Sequence, residues 1–136
     1  MSGIHARKSQ LTTKEDRDLD IEISFLQGLI DRDSEYVEAL QLLGDDYTKR
    51  GKFHDGLKVD EHLAKLLPDD SMVFYNLACS YSLTNCIEES IKALNNAVLL
   101  GYNDSKWMDI DPDLDNVRTD TRYQSIRQKL TNSKIT

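Results

Sequence analysis

Residues 39–70 read "ALQLLGDDYTKRGKFHDGLKVDEHLAKLLPDD", and residues 73–104 read "VFYNLACSYSLTNCIEESIKALNNAVLLGYND". Laid one above the other, they agree in residue size without a gap. Leu40 falls on Phe74, Leu43 on Leu77, Gly44 on Ala78 and Tyr47 on Tyr81. Further on, Phe53 falls on Ile87, Gly56 on Ser90, Leu57 on Ile91 and Leu63 on Ala97, always at an offset of 34. A period of that length marks one supersecondary unit followed by a copy of itself.

Each aligned pair has a physical reading. Leu40, Leu43 and Tyr47 are three and four apart, so they share one helix face. Gly44 and Ala78 are small where a second helix must pass close, and Gly56 and Ser90 are small on that second helix. Gly51 and Asn85 tolerate positive φ, which suits the end of the first helix of each pair. Phe53 and Ile87 begin the second helix. Pro68 closes the first unit, and Asp70 is placed to cap the next. The spacing predicts helices over 35–50, 53–67, 70–84 and 87–100, paired antiparallel.

This pattern resembles the tetratricopeptide repeat, a helix-turn-helix unit of about 34 residues. The resemblance rests on Leu40, Leu43, Gly44, Tyr47, Gly51, Phe53, Gly56, Leu63 and Pro68, then on Phe74, Leu77, Ala78, Tyr81, Ile87, Ser90, Leu94 and Ala97. It implies an all-α fold: a right-handed solenoid of antiparallel helix pairs. One residue departs from the family pattern. Asp60 stands where a large apolar residue is usual, and Leu94 holds that place in the second unit. We read Asp60 as rotated toward solvent, against the alternative of a functional buried carboxylate.

Stacked units bury their faces on neighbours, so the flanks must supply caps. Upstream, Thr12 or Thr13 can cap a helix carrying Leu19, Ile23, Leu26 and Ile30 on one stripe. It looks like the second helix of an incomplete repeat. The chain thus divides into a basic segment over 1–11, expected to be disordered, and one domain over 12–136. Within the domain we place a half-repeat helix over 12–34, repeats over 35–69 and 70–104, and a helical cap over 105–136.

The cap begins "WMDIDPDLDNVRTDTRY", residues 107–123, with Asp109, Asp111, Asp113 and Asp115 alternating and Asp120 beyond. That alternation suggests a calcium loop, but Leu114 replaces the required glycine, Pro112 stiffens the turn, and Asp120 is shorter than the usual bidentate glutamate. Helix punctuation fits better. Asp111 before Pro112 has the form of a cap and first helical residue, and Asp120 precedes Tyr123, Ile126, Arg127 and Leu130 at helical spacing. Trp107, Met108 and Ile110 offer a short apolar face. The stretch also resembles the tail that closes some bacterial tetratricopeptide arrays, which implies that its aspartates set helix starts and pair with Arg118 and Arg122.

Net charge is −7; all 24 acids lie beyond Lys14, whereas three of the 17 bases lie within the first 14 residues. Such acidity argues against nucleic acid and anionic membranes as partners. No apolar run is long enough to span a bilayer, and no secretory signal is visible. Cys79 and Cys86 read as reduced thiols in a cytoplasmic protein. His54 and His62 are two turns apart and make no metal pair. No nucleophile elbow or phosphate loop is present. We therefore expect no enzyme, no cofactor and no metal.

The resemblance places the first helix of each unit on the concave face. The residues there not used in packing are Glu38, Gln41, Asp45 and Thr48, then Met72, Tyr75, Cys79 and Ser82, with Asn76 at the edge. These are the candidate partner-binding residues, with Tyr75 as the aromatic anchor. Some family members clamp an acidic chaperone tail with Lys, Arg and Asn on these helices; this chain offers Asn76 alone, and Asp45 would repel a carboxylate. The expected function is a non-catalytic protein-interaction module or scaffold that holds a peptide or subunit carrying basic and apolar residues. Three alternatives stay open: a cytoplasmic chaperone for a secreted protein, a regulatory subunit of an enzyme complex, and a homo-oligomer.

Overall fold

The structure is a computed structural model that describes residues 11–135, with side chains to residue 132. The segment 1–11 expected to be disordered therefore lies, but for Leu11, outside the described residues. Among the described residues seven α-helices follow in order: α1 Thr13–Arg32, α2 Val37–Arg50, α3 Phe53–Leu66, α4 Ser71–Leu83, α5 Ile87–Leu99, α6 Ser105–Ile110 and α7 Thr121–Ile135, with a 3-10 turn at Pro112–Leu114. The described residues contain no strand. Helix α1 packs on α2, α2 on α3, α3 on α4 and α4 on α5; the 3-10 turn then folds back onto α4, and α7 onto α5 and α6.

The helix ends follow the local chemistry. Thr12 accepts the Glu15 amide and starts α1, and Asp70 accepts the amides of Met72 and Val73 to start α4. Gly51 at φ 83° and Asn85 at φ 62° end α2 and the turn after α4 in the left-handed region, where glycine and asparagine meet the least steric cost. The bonds around them recur 34 residues on. Lys52 N–H donates to Tyr47 O and Cys86 N–H to Tyr81 O, both at 2.8 Å.

The α2–α3 crossing is close because two glycines meet it. A Cβ on Gly56 would lie 3.5 Å from Tyr47 Cβ and Thr48 Oγ1, and one on Gly44 would lie 3.1 Å from Asp60 Oδ1. These contacts run in opposite directions along the two helices, so the pair is antiparallel. In the next pair Ser90 Oγ donates to the Ala78 carbonyl at 2.7 Å, in place of glycine-to-backbone contact. A tyrosine ties each pair to the helix before it. Gln27 Nε2 donates to Tyr47 Oη, and Tyr81 Oη donates to Glu61 Oε2 at 2.9 Å. Gln27 and Glu61 are themselves 34 apart.

Two apolar cores result. One gathers Ile23, Leu26, Leu40, Leu43, Tyr47, Val59 and Leu63 from α1 to α3, closed by Val73. The other gathers Leu77, Ala78, Ile91, Leu94 and Ala97 with Met108, Leu114, Val117, Tyr123, Ile126 and Leu130 of the cap. Ala64 packs against both.

Two expectations need correction. Asp60 is not turned to solvent: it is 8% exposed, because Ser80 Oγ on α4 donates to its Oδ2 and Gly44 leaves it room. The 107–110 segment has no continuous apolar face. Met108 is fully buried, while Trp107 and Ile110 are 45% and 69% exposed, since α6 is only six residues long and turns one side inward.

Candidate functional site

A groove of about 300 Å³ runs between α2 and α4, with α3 beneath it and the start of the cap at its side. From α2 come Gln41, Gly44, Asp45, Thr48 and Lys49, a stripe of helical spacing left free by the apolar face below. From α3 come Asp60 and Leu63. Helix α4 supplies Met72, Tyr75, Asn76, Cys79 and Ser80 among others, and the cap supplies Trp107, Asp111 and Asp113.

The cap end is built around Asp111. Its Oδ1 accepts the Asp113 amide at 3.0 Å, which starts the 3-10 turn. Its Oδ2 accepts the Tyr75 hydroxyl at 2.6 Å and faces the Cys79 thiol at 3.7 Å. The Tyr75 ring stacks on Tyr102, centroids 4.2 Å apart. Arg118 donates to the carbonyls of Asp111 at 2.6 Å and Met108 at 2.8 Å, pinning the turn. Burial drives both acidic hydrogens upward in pKa: the Tyr75 phenol is raised by desolvation and then by Cys79 and Asp111, and the Cys79 thiol is raised well above its ordinary value by desolvation and Asp111. A thiol held protonated this way is a poor nucleophile.

The other aspartates of the cap answer to protein donors. Asp120 accepts the Arg122 amide at 2.8 Å at the head of α7 and pairs with the Arg122 guanidinium at 2.9 Å, which Glu88 also meets. Asp115 pairs with Arg118, and Asp109 pairs with Arg127 at 3.0 Å while accepting the Tyr123 hydroxyl at 3.1 Å.

The Asp60 end is different. Desolvation raises its carboxyl to about 6, the Ser80 bond opposes that rise, and Asp45 adds to it. Among the described residues no base is among the groups that act on it. Asp45 is exposed.

Of the candidate partner-binding residues, Gln41, Asp45, Thr48, Met72, Tyr75, Asn76 and Cys79 line this groove; Glu38 and Ser82 do not. Three differ from the expected exposed row. Tyr75 is 2% exposed, Cys79 7% and Ser82 0%, because the cap folds over them. Tyr75 is thus a pillar of the groove wall and no anchor held out to a ligand. Gly44, Lys49, Asp60, Ser80, Trp107 and Asp111 were missed as groove residues. The pairing of Gly44 with Asp60 had a visible signal, an acid in an apolar slot opposite a glycine.

Fold and groove together define an all-helical protein of sequentially packed helices with an acidic, partly apolar cleft. No family model matches the sequence. The chain is 31% identical over 107 residues to a chloroplastic protein of Arabidopsis thaliana, a match that takes in 76% of this chain. It spans 30% of that relative's length.

Proposed function

We propose that this chain is a non-catalytic protein-interaction module of the tetratricopeptide kind, a right-handed stack of helix pairs that holds a segment of a partner protein in the α2–α4 groove. One observation carries the reading: the groove joins a buried carboxylate without a basic partner to two exposed apolar side chains, Met72 at 50% and Trp107 at 45%. Charged floor and apolar rim suit an extended segment better than a small metabolite. The same acidity disfavours nucleic acid. No helix among the described residues is long and apolar enough to cross a membrane. Two free cysteines suit a reducing compartment, cytoplasmic or, as the relative's name has it for that protein, chloroplastic.

The α1 face favours a second reading. Ile21 and Phe25, one helical turn apart, are both 65% exposed, so α1 offers an apolar edge to a further chain, as a subunit or scaffold contact would use. Quantitative binding separates the two. A partner captured by the full chain should lose affinity on Met72→Ala with Trp107→Ala and keep it on Phe25→Ser. The reverse pattern would move the site to α1 and overturn the groove.

A further inference from the structure

Asp60 Oδ2 is taken by Ser80, but no hydrogen bond to Oδ1 occurs among the described residues, although the side chain is 8% exposed and lines the groove. That oxygen approaches α2 closely because residue 44 is glycine: a Cβ there would stand 3.1 Å from Oδ1. Asp45, next along α2, makes no hydrogen bond or ion pair with another described residue and acts on Asp60 as a like charge. Lys49 lines the same groove, yet the acid it acts on is Asp46. A buried carboxylate left in this condition is costly unless something pairs with it. Strained polar chemistry of this kind persists where a ligand uses it.

We propose that the groove selects a lysine of the partner segment, its ammonium passing over Gly44 to the open oxygen of Asp60 and to Asp45, with a neighbouring apolar side chain resting on Met72 and Trp107. The inference rests on the groove reading above. At Asp60 a lysine fits better than an arginine, for a geometric reason. A guanidinium fork is satisfied by two oxygens of one carboxylate, and Asp60 offers one; an ammonium is a point charge on a slim stem that needs no fork. Asp111 cannot substitute, because both its oxygens are already engaged.

The test uses the full chain and an array of acetylated, amidated octapeptides that pair one lysine with one phenylalanine at every spacing. Selected peptides should lose at least about tenfold in affinity when lysine becomes norleucine, and several-fold when it becomes arginine. Asp60→Asn keeps an acceptor for Ser80; it should lose the lysine preference while the free protein's melting midpoint holds or rises. Gly44→Ala should weaken the same preference by crowding Oδ1. Peptides that bind equally well with norleucine, and are released by the Met72 and Trp107 substitutions, would overturn the lysine inference and leave the groove reading standing. If no peptide of the array binds at millimolar concentration, both fall.

Discussion

Asp111 shows how much one side chain can hold. Its Oδ1 caps the 3-10 turn, its Oδ2 takes the Tyr75 hydroxyl, and its carbonyl takes Arg118. Asp111→Ala removes the cap, worth about 0.5–2 kcal/mol, and orphans the buried Tyr75 hydroxyl, a further ~1–3 kcal/mol. Asp111→Asn keeps one acceptor, for the Asp113 amide, since asparagine caps nearly as well; its NH2 then faces Tyr75, whose hydroxyl oxygen can accept where the hydroxyl formerly donated. Chemical denaturation should therefore show a loss of about 2–4 kcal/mol for alanine and less than half of that for asparagine. Equal losses would mean that the turn needs both accepting oxygens of the carboxylate, and that a cap with one acceptor does not hold it.

At the scale of elements, the helices were legible because their signals are local. Expected helices at 35–50, 53–67, 70–84 and 87–100 correspond to Val37–Arg50, Phe53–Leu66, Ser71–Leu83 and Ile87–Leu99. Gly51, Asn85, Asp70 and the Asp111–Pro112 pair mark ends by their own backbone preferences. What sequence could not give is which faces a distant segment covers. Tyr75, Cys79 and Ser82 form an unused stripe on α4 by periodicity alone, but the cap returns from more than thirty residues downstream and buries them. Asp60 was misread for the same reason, its partner Ser80 lying on the following pair. The glycine crossing tests how the pairs fit. Gly44→Leu must push Asp60 and Val59 aside and should cost roughly 1–3 kcal/mol by overpacking, read from a urea midpoint with an unchanged slope. A midpoint equal to the parent's would mean that α2 and α3 have room the structure does not show.

Across the whole molecule the acids fall into two sets with opposite effects on stability. In the first, burial raises the folded-state carboxyl: Asp60 to about 6, with Asp45 adding and Ser80 opposing, and Asp46 to about 7, through desolvation and Glu22 on α1, with Asp45 adding and Lys49 opposing. In the unfolded chain both ionise near about 3.9. Between about pH 4 and 7 the folded state therefore holds protons that the unfolded state has released, so stability grows as pH falls through this window. In the second set, donors depress the carboxyl: Asp20 by Arg50, Asp109 by Arg127, and Asp120, to about 2, by Arg122. Their contribution is present above about pH 4 and disappears as pH falls through their folded values. The melting midpoint should thus be highest near about pH 5, and lower both at about pH 7.5 and at about pH 2.5. Net charge of −7 adds repulsion in the same direction, so the series belongs in about 0.3 M salt, where surface terms are screened. Asp60→Asn separates the buried term from the rest: it should raise stability at pH 7.5 by roughly 2–3 kcal/mol, the whole shift, and flatten the rise from pH 7 to 5 by about 1 kcal/mol, while leaving the acid limb unchanged. A parent curve already flat between about pH 5 and 7.5 would mean that Asp60 and Asp46 are as well solvated in the folded chain as in the unfolded one, and the open carboxylate at the floor of the groove would lose its physical basis.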